Sequence, residues 1–217
     1  MTAEDLELMQ DAGIRGIWVE FYQYCAMHNV ELQKLALRDH AAILKQHCPR
    51  WSMAFTHIHP EFWAELTSVV KEIATAGILV VTDHFALLKA SSMLPERLQH
   101  DPTSQPGFAD ILSLVPMGGL YVKLSPPYRI SDMAPAYSDI RPIVKALVEA
   151  NPRRVLWGSD WPHYPRMRVK SHEEALKETP FLAVDDEAWL RSLKSWLTNE
   201  QWDLVMVKNP SELYGSK

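Results

Sequence analysis

The chain has 217 residues, 47% of them hydrophobic and 23% charged, the length of one large domain or two small ones and enough to bury a core without staples. Twenty-seven acidic against 22 basic residues leave a formal charge of −5, and no long run of Lys or Arg is present, so nucleic acid is not an expected partner. The acidic start Met1-Thr2-Ala3-Glu4-Asp5 is unlike a secretory leader, and the longest purely aliphatic run, Ile78-Leu79-Val80-Val81, is too short to cross a membrane.

In chain order, residues 2–12 read as a helix, with Thr2 as N-cap, Glu4 and Asp5 in the first turn and a stop at Gly13. Residues 16–21, β-branched and aromatic, form the first predicted strand. Residues 31–47 carry Leu32, Leu35, Ala36, Ala42 and Ile43 at helical spacing and then meet Pro49. A second strand is predicted over 53–58. The helix predicted over 60–76 has the stripe Phe62, Trp63, Leu66, Val69, Val70 and Ile73 and ends on Gly77. The third strand, 78–82, is apolar at successive positions, as a parallel strand buried on both faces should be.

A long loop with Pro95, Pro102 and Pro106 precedes a short helix bearing Phe108, Ile111, Leu112 and Val115, and Gly118-Gly119 leads into a fourth strand, Leu120–Leu124. Ile140, Val144, Leu147 and Val148 mark a helix ended by Pro152, before the fifth strand, Val155–Trp157. From Asp186 the tail is helical, with Trp189, Leu193 and Trp196 on one side, and Thr198 with Gln201 forms a capping box for a last helix carrying Trp202, Val205 and Met206. This alternation predicts an α/β fold with a parallel sheet, open or closed as a barrel, in one domain over 1–217. Cys25 and Cys48 form no C-x-x-C pair and no disulfide ladder, which fits a reducing, cytoplasmic location.

In such folds the chemistry collects where strands end. The polar residues there are Thr56, His57 and His59, then Asp83 and His84, then Lys123 to Arg129, and last Asp160 to His163. The stretch Trp157-Gly158-Ser159-Asp160-Trp161-Pro162-His163 delivers a carboxylate, aromatics and an imidazole into one loop. A carboxylate between partly apolar walls can take a proton from water, although carboxylates at strand ends often serve only as caps. On residue type alone, His84 reads equally as a histidine satisfied by backbone, and Arg129 as a solvated loop arginine. Trp63, Trp189, Trp196 and Trp202 read as core, while Trp161 either packs on a substrate ring or fills space. His57-Ile58-His59 has a spacing that can place two imidazoles on one ion, but Pro60 follows at once and no partner pair is evident, so no metal and no cofactor are predicted.

The run 157–163 resembles the final-strand signature of the amidohydrolase-related TIM-barrel hydrolases, close to the branch that includes the pyrone-dicarboxylate lactonases. Three further stretches agree in order: Gly13-Ile14-Arg15-Gly16-Ile17 with the family's G-[VI]-R-G-[VI] strand entry, Val80-Val81-Thr82-Asp83-His84-Phe85 with its V-I-D-H-F strand end, and 122–131 with its V-K-L-S-G-P-Y-R strand and loop. The ending, Asn209-Pro210-Ser211-Glu212-Leu213-Tyr214-Gly215, resembles its closing helix. The resemblance implies a (β/α)8 barrel of which about the last five strand-helix units are present, since the family's opening H-x-H strand is not found. It implies Asp160 as the general base, His84 as the residue that polarises or holds the substrate, Arg129 as the binder of a substrate carboxylate, and His163 as a further substrate contact. Trp18 stands where relatives often have a second arginine.

The expected function is hydrolysis of a small carboxylated cyclic ester or related acyl compound, with a small-molecule carboxylate as the only partner besides other copies of the chain. The alternatives are a metal-dependent decarboxylase of the same superfamily and an inactive truncated remnant. Raw strand edges at 16–21 and Val155–Trp157 predict self-association.

Overall fold

The computed structural model describes residues 3–165 and 176–215, so the expected N-cap, Thr2, lies outside the described residues. Helix α1 spans Ala3–Asp11. Helix α2, Val30–His47, is capped by Asn29, whose side chain accepts from the Leu32 N–H, with Glu31 in the first turn and Lys45 and His47 in the last, the charge order that suits the helix dipole. Helix α3, Trp63–Thr75, buries Trp63, Leu66, Val69, Val70 and Ile73, and a single turn over Pro60–Phe62 precedes it. Helix α4 is Phe108–Leu114 and helix α5 is Arg141–Ala150, which buries Ile143, Val144, Leu147 and Val148. Each helix thus offers one apolar stripe, and burying it is what holds the helix in place.

The stripes converge on one parallel sheet of five strands: β1 Gly16–Val19, β2 Ser52–Phe55, β3 Val80–Thr82, β4 Leu120–Leu124 and β5 Val155–Trp157, in the order β1-β2-β3-β4-β5. Sequential order without reversal is the arrangement of neighbouring barrel strands, because a doubly wound sheet must turn back at a switch point. Val19, Met53, Phe55, Val80, Val122 and Val155 face the helices in one large core. On the other face Trp18 lies opposite Ala54, Ala54 opposite Val81, and Val81 opposite Tyr121. There only a small cluster forms, Val81, Tyr121 and Leu156 covered by Leu213 and Tyr214.

The expected strand-helix units are present in the expected order. Four strand bounds differ: β1 stops at Val19 rather than Phe21, β2 runs over Ser52–Phe55 rather than 53–58, and β3 starts at Val80 rather than residue 78. After Val19 the chain turns, with Ala26 N–H donating to Phe21 O. Phe21 is fully buried all the same; its apolar character reports burial, which a turn satisfies as well as a ladder does.

The tail contains α6, Asp186–Trp196, and α7, Asn199–Asp203, whose Thr198–Gln201 capping box is formed as predicted. A π-helical turn, Leu204–Lys208, joins it to α8, Asn209–Tyr214. Asn209 is fully buried, and its amide donates to Val155 O at 2.8 Å and Pro152 O at 2.7 Å. The tail thereby satisfies part of the outer edge of β5.

Candidate active site

The ends of β3, β4 and β5 supply the polar side chains. After β3 the chain takes a left-handed turn: His84, Phe85, Ala86 and Leu87 all have φ between 55° and 57°. Each such residue costs about 1–2 kcal/mol relative to a right-handed one. The turn is held by complete or nearly complete burial of Phe85, Ala86 and Leu88 and by the Trp63 indole donating to Ala86 O at 3.3 Å. Strain of this kind persists where surrounding structure over-determines the backbone, and it clusters at functional sites. The loop after it is knitted by Gln105, whose amide donates to Lys89 O and Pro102 O while its oxygen accepts from Lys89 N–H. Asp139 ties it to the loop after β4 by accepting from the Ser92 hydroxyl at 2.6 Å and the Ser131 hydroxyl at 2.5 Å.

Two carboxylates stand at these strand ends, in different states. Asp83 accepts from Lys123 Nζ at 2.8 Å and from the Thr56 hydroxyl at 3.5 Å. Burial works against the Lys123 charge, but Asp83, with Tyr214, outweighs it and holds the ammonium above its ordinary value. Asp83 is therefore committed to an ion pair. Asp160, after β5, has φ +60°, and its Oδ2 accepts from the Tyr128 hydroxyl at 2.8 Å and meets Arg129 Nη2 at 3.4 Å. The Tyr128 phenol is pushed well up, first by burial and then by this bond to Asp160, so it stays a donor.

His84 Nδ1 lies 2.9 Å from Ser125 O. A carbonyl only accepts, so Nδ1 carries the proton and Nε2 is an acceptor whenever the ring is neutral. Burial holds the ring below its ordinary value, against the opposing pull of the Ser125 carbonyl and of the Asp160 and Asp83 charges. The neutral form therefore dominates at pH 7. Arg129 also reaches Tyr164 O at 3.5 Å and lies over the Tyr128 ring at 5.4 Å. The structure thus brings Asp160, Arg129 and His84 within electrostatic reach of one another.

His163 is placed differently. Only 7% of its side chain is exposed; its Nε2 lies 3.0 Å from Asp186 Oδ2, and its ring meets Tyr128 edge-on. Trp161, in contrast, is 77% exposed. His57 packs on Phe55 and Trp63, whereas His59 bonds His28 at 2.7 Å and Glu61 at 3.2 Å. Among the described residues no three His, Cys, Asp or Glu side chains stand together in a set that could hold a metal ion. Asp83, Lys123 and Tyr128 lie among the strand-end residues that the sequence singled out but received no role there, and Asp186 did not stand out at all. Tyr128 had a signal, its place beside Arg129; Asp186 had none, because an acid in the first turn of a helix reads as dipole compensation.

A groove of about 490 Å³ is lined by Arg15, Arg50, Trp51, Leu79 and α8 residues including Tyr214. Arg15, Trp51 and Leu79 immediately precede β1, β2 and β3, so the groove is at the opposite end of the sheet from Asp160.

A family model described as amidohydrolase matches residues 1–216. The chain is 28% identical over 148 residues to the 4-sulfomuconolactone hydrolase of Hydrogenophaga intermedia, covering 68% of this chain and 43% of that protein. It is 27% identical over 221 residues to the 2-pyrone-4,6-dicarboxylate hydrolase of Comamonas testosteroni, covering 97% of this chain and 62% of that protein. It therefore spans between two fifths and two thirds of these relatives' lengths. A crystal structure from Pseudomonas putida, designated a 2-pyrone-4,6-dicarboxylic acid hydrolase, superposes with a TM-score of 0.64 at 19% identity, over 99% of this chain and 68% of that one. The sheet and its helices are thus part of a TIM-barrel fold.

Proposed function

The chain belongs to the amidohydrolase family, and we propose that it hydrolyses a small carboxylated cyclic ester, with Asp160 as the general base. The observation that carries this is the contrast between the two carboxylates: Asp83 is spent on Lys123 at 2.8 Å, while Asp160 is held on Oδ2 by Tyr128 and Arg129. That arrangement leaves Oδ1 of Asp160 to take a proton. Water then gives its proton to Asp160 as its oxygen bonds to the acyl carbon; the ring C–O bond breaks, and the proton passes from Asp160 to the departing alkoxide, giving a hydroxy acid. Neutral His84 holds the water or a substrate hydroxyl through Nε2, an acceptor role rather than a polarising one. Arg129 draws the substrate carboxylate by charge and by its planar fork.

Relatives named as lactone hydrolases support this substrate class. In the same reading residues 1–217 form one domain that acts in the cytoplasm. The two free thiols, Cys25 and Cys48, agree with a reducing compartment, and no described helix is long and apolar enough to cross a membrane. Other copies of the chain are its proposed macromolecular partner, through the β1 edge.

The test is Asp160→Asn, assayed by ring opening of 2-pyrone-4,6-dicarboxylate and other carboxylated lactones. Loss of about a hundredfold or more in turnover is expected, with an unchanged helix signal, because the amide keeps the shape but takes no proton. Turnover retained by the variant removes Asp160 from the mechanism. Absence of ring opening by the wild-type chain on all of these lactones overturns the substrate class.

A further inference from the structure

Behind Asp160 stands a stack of three side chains drawn from three separate parts of the chain. Tyr128 donates its hydroxyl to Asp160 Oδ2 at 2.8 Å. Edge-on to the Tyr128 ring lies His163, with centroids 5.6 Å apart and an interplanar angle of 86°. His163 is 6% exposed and its Nε2 is 3.0 Å from Asp186 Oδ2. A carboxylate only accepts, so the proton of a neutral His163 is on Nε2. Asp186 opens α6, whose Trp189 is packed against Phe85 and Tyr137 in the core. The imidazole is therefore anchored to a helix that is itself packed into the core.

We infer that Tyr128 is the positioning residue for Asp160, and that His163, clamped by Asp186, positions Tyr128 rather than touching ligand. The inference rests on the proposed role of Asp160 as the base. A carboxylate turns easily about its last torsion, which is broad and two-fold. The Tyr128 hydroxyl, donating to Oδ2 at 2.8 Å beside the more distant Arg129 at 3.4 Å, opposes that rotation and fixes which oxygen faces water. A phenol can do so only if its own ring is held, and the perpendicular ring of His163 holds it together with the Arg129 guanidinium over its face and the core beside it. The expected signature is in kcat rather than KM, because orientation of the base matters only as the reaction proceeds.

The experiment uses the whole chain, with 2-pyrone-4,6-dicarboxylate as the probe. Tyr128→Phe is expected to lower kcat about tenfold with KM changed by less than about twofold. His163→Leu is expected to lower kcat several-fold alone and to add nothing to Tyr128→Phe, since it acts through that hydroxyl. Asp186→Asn, at a more exposed site, should behave as His163→Leu does and serves if the leucine variant fails to fold. A readout independent of turnover is the tyrosine Cζ resonance of Tyr128, assigned by its loss in Tyr128→Phe. It should not titrate near the ordinary phenol value of about 10, and His163→Leu should bring its ionisation down as the bond to Asp160 loosens. Ordinary ionisation of Tyr128 in the wild type, or independent multiplication of the two kcat losses, overturns the inference. If Asp160→Asn retains turnover while Tyr128 still resists ionisation, the base assignment fails and the Tyr128–Asp160 link stands.

Discussion

His57 is 1% exposed, packed between Phe55 and Trp63, and neither ring nitrogen has a hydrogen-bond partner among the described residues. Burial pushes it down to about 3; a backbone contact at His59 opposes the change and the His59 charge adds to it. The folded chain therefore keeps His57 neutral at pH values where the unfolded chain, near 6.5, binds a proton. Above 6.5 this group leaves stability unaffected by pH. As pH falls from 6.5 toward 3 the unfolded state gains a proton that the folded state refuses, at about 1.4 kcal/mol per pH unit. The urea midpoint of the wild type should fall across that window, and His57→Phe, which keeps an aromatic ring in the same core, should flatten the fall. An equal slope in both proteins would show that His57 titrates in the fold.

At the scale of elements, the junctions between helices and loops are where small residues decide the packing. Gly107, at the N-cap of α4, has φ +80°, and a Cβ there would sit 2.1 Å from Pro60 O. Gly13, after α1, has φ +98° but open space around the same position. Both pay the left-handed cost on replacement, about 1 kcal/mol or slightly more, while Gly107 must also push the α3 entry aside. Gly107→Ala is expected to cost about 3 kcal/mol or more and Gly13→Ala about 1 kcal/mol, read as a difference in urea midpoints. Equal losses would show that Pro60 moves freely and that the α3–α4 junction is loosely packed.

Across the whole molecule the two edges of the sheet differ. β5 has Asn209 bonded to Val155 O, whereas among the described residues β1 pairs only with β2. Trp18 on β1 is 57% exposed, although Val19 beside it is buried on the helix side. An apolar strand with unpaired backbone is a template for another strand, so β1 rather than β5 is the edge through which copies should associate. Sedimentation or light scattering is expected to show a mass that grows with protein concentration, and Trp18→Lys should reduce that growth while leaving the melting transition nearly unchanged. A single monomeric mass over a wide concentration range would remove the β1 edge as an interface.

The sequence by itself determined the order of strands and helices, the parallel sheet and the loops that carry Asp160, His84 and Arg129, because apolar period, caps and glycine stops are local properties that survive any tertiary arrangement. It placed the ends of β4 and β5 and the Thr198 capping box correctly, yet overran β1 and β2, where Phe21 and His57 are buried without belonging to a ladder. Only the tertiary structure decided that one strand-end carboxylate is bound to a lysine and the other to a tyrosine and an arginine. It also decided that His163 faces Tyr128 and Asp186, and that Asn209 bonds to Val155 O of β5. These outcomes depend on groups far apart in the chain meeting at hydrogen-bond distance. No residue carries that information alone, since an aspartate reads the same whether its partner in space is a lysine, a tyrosine or water.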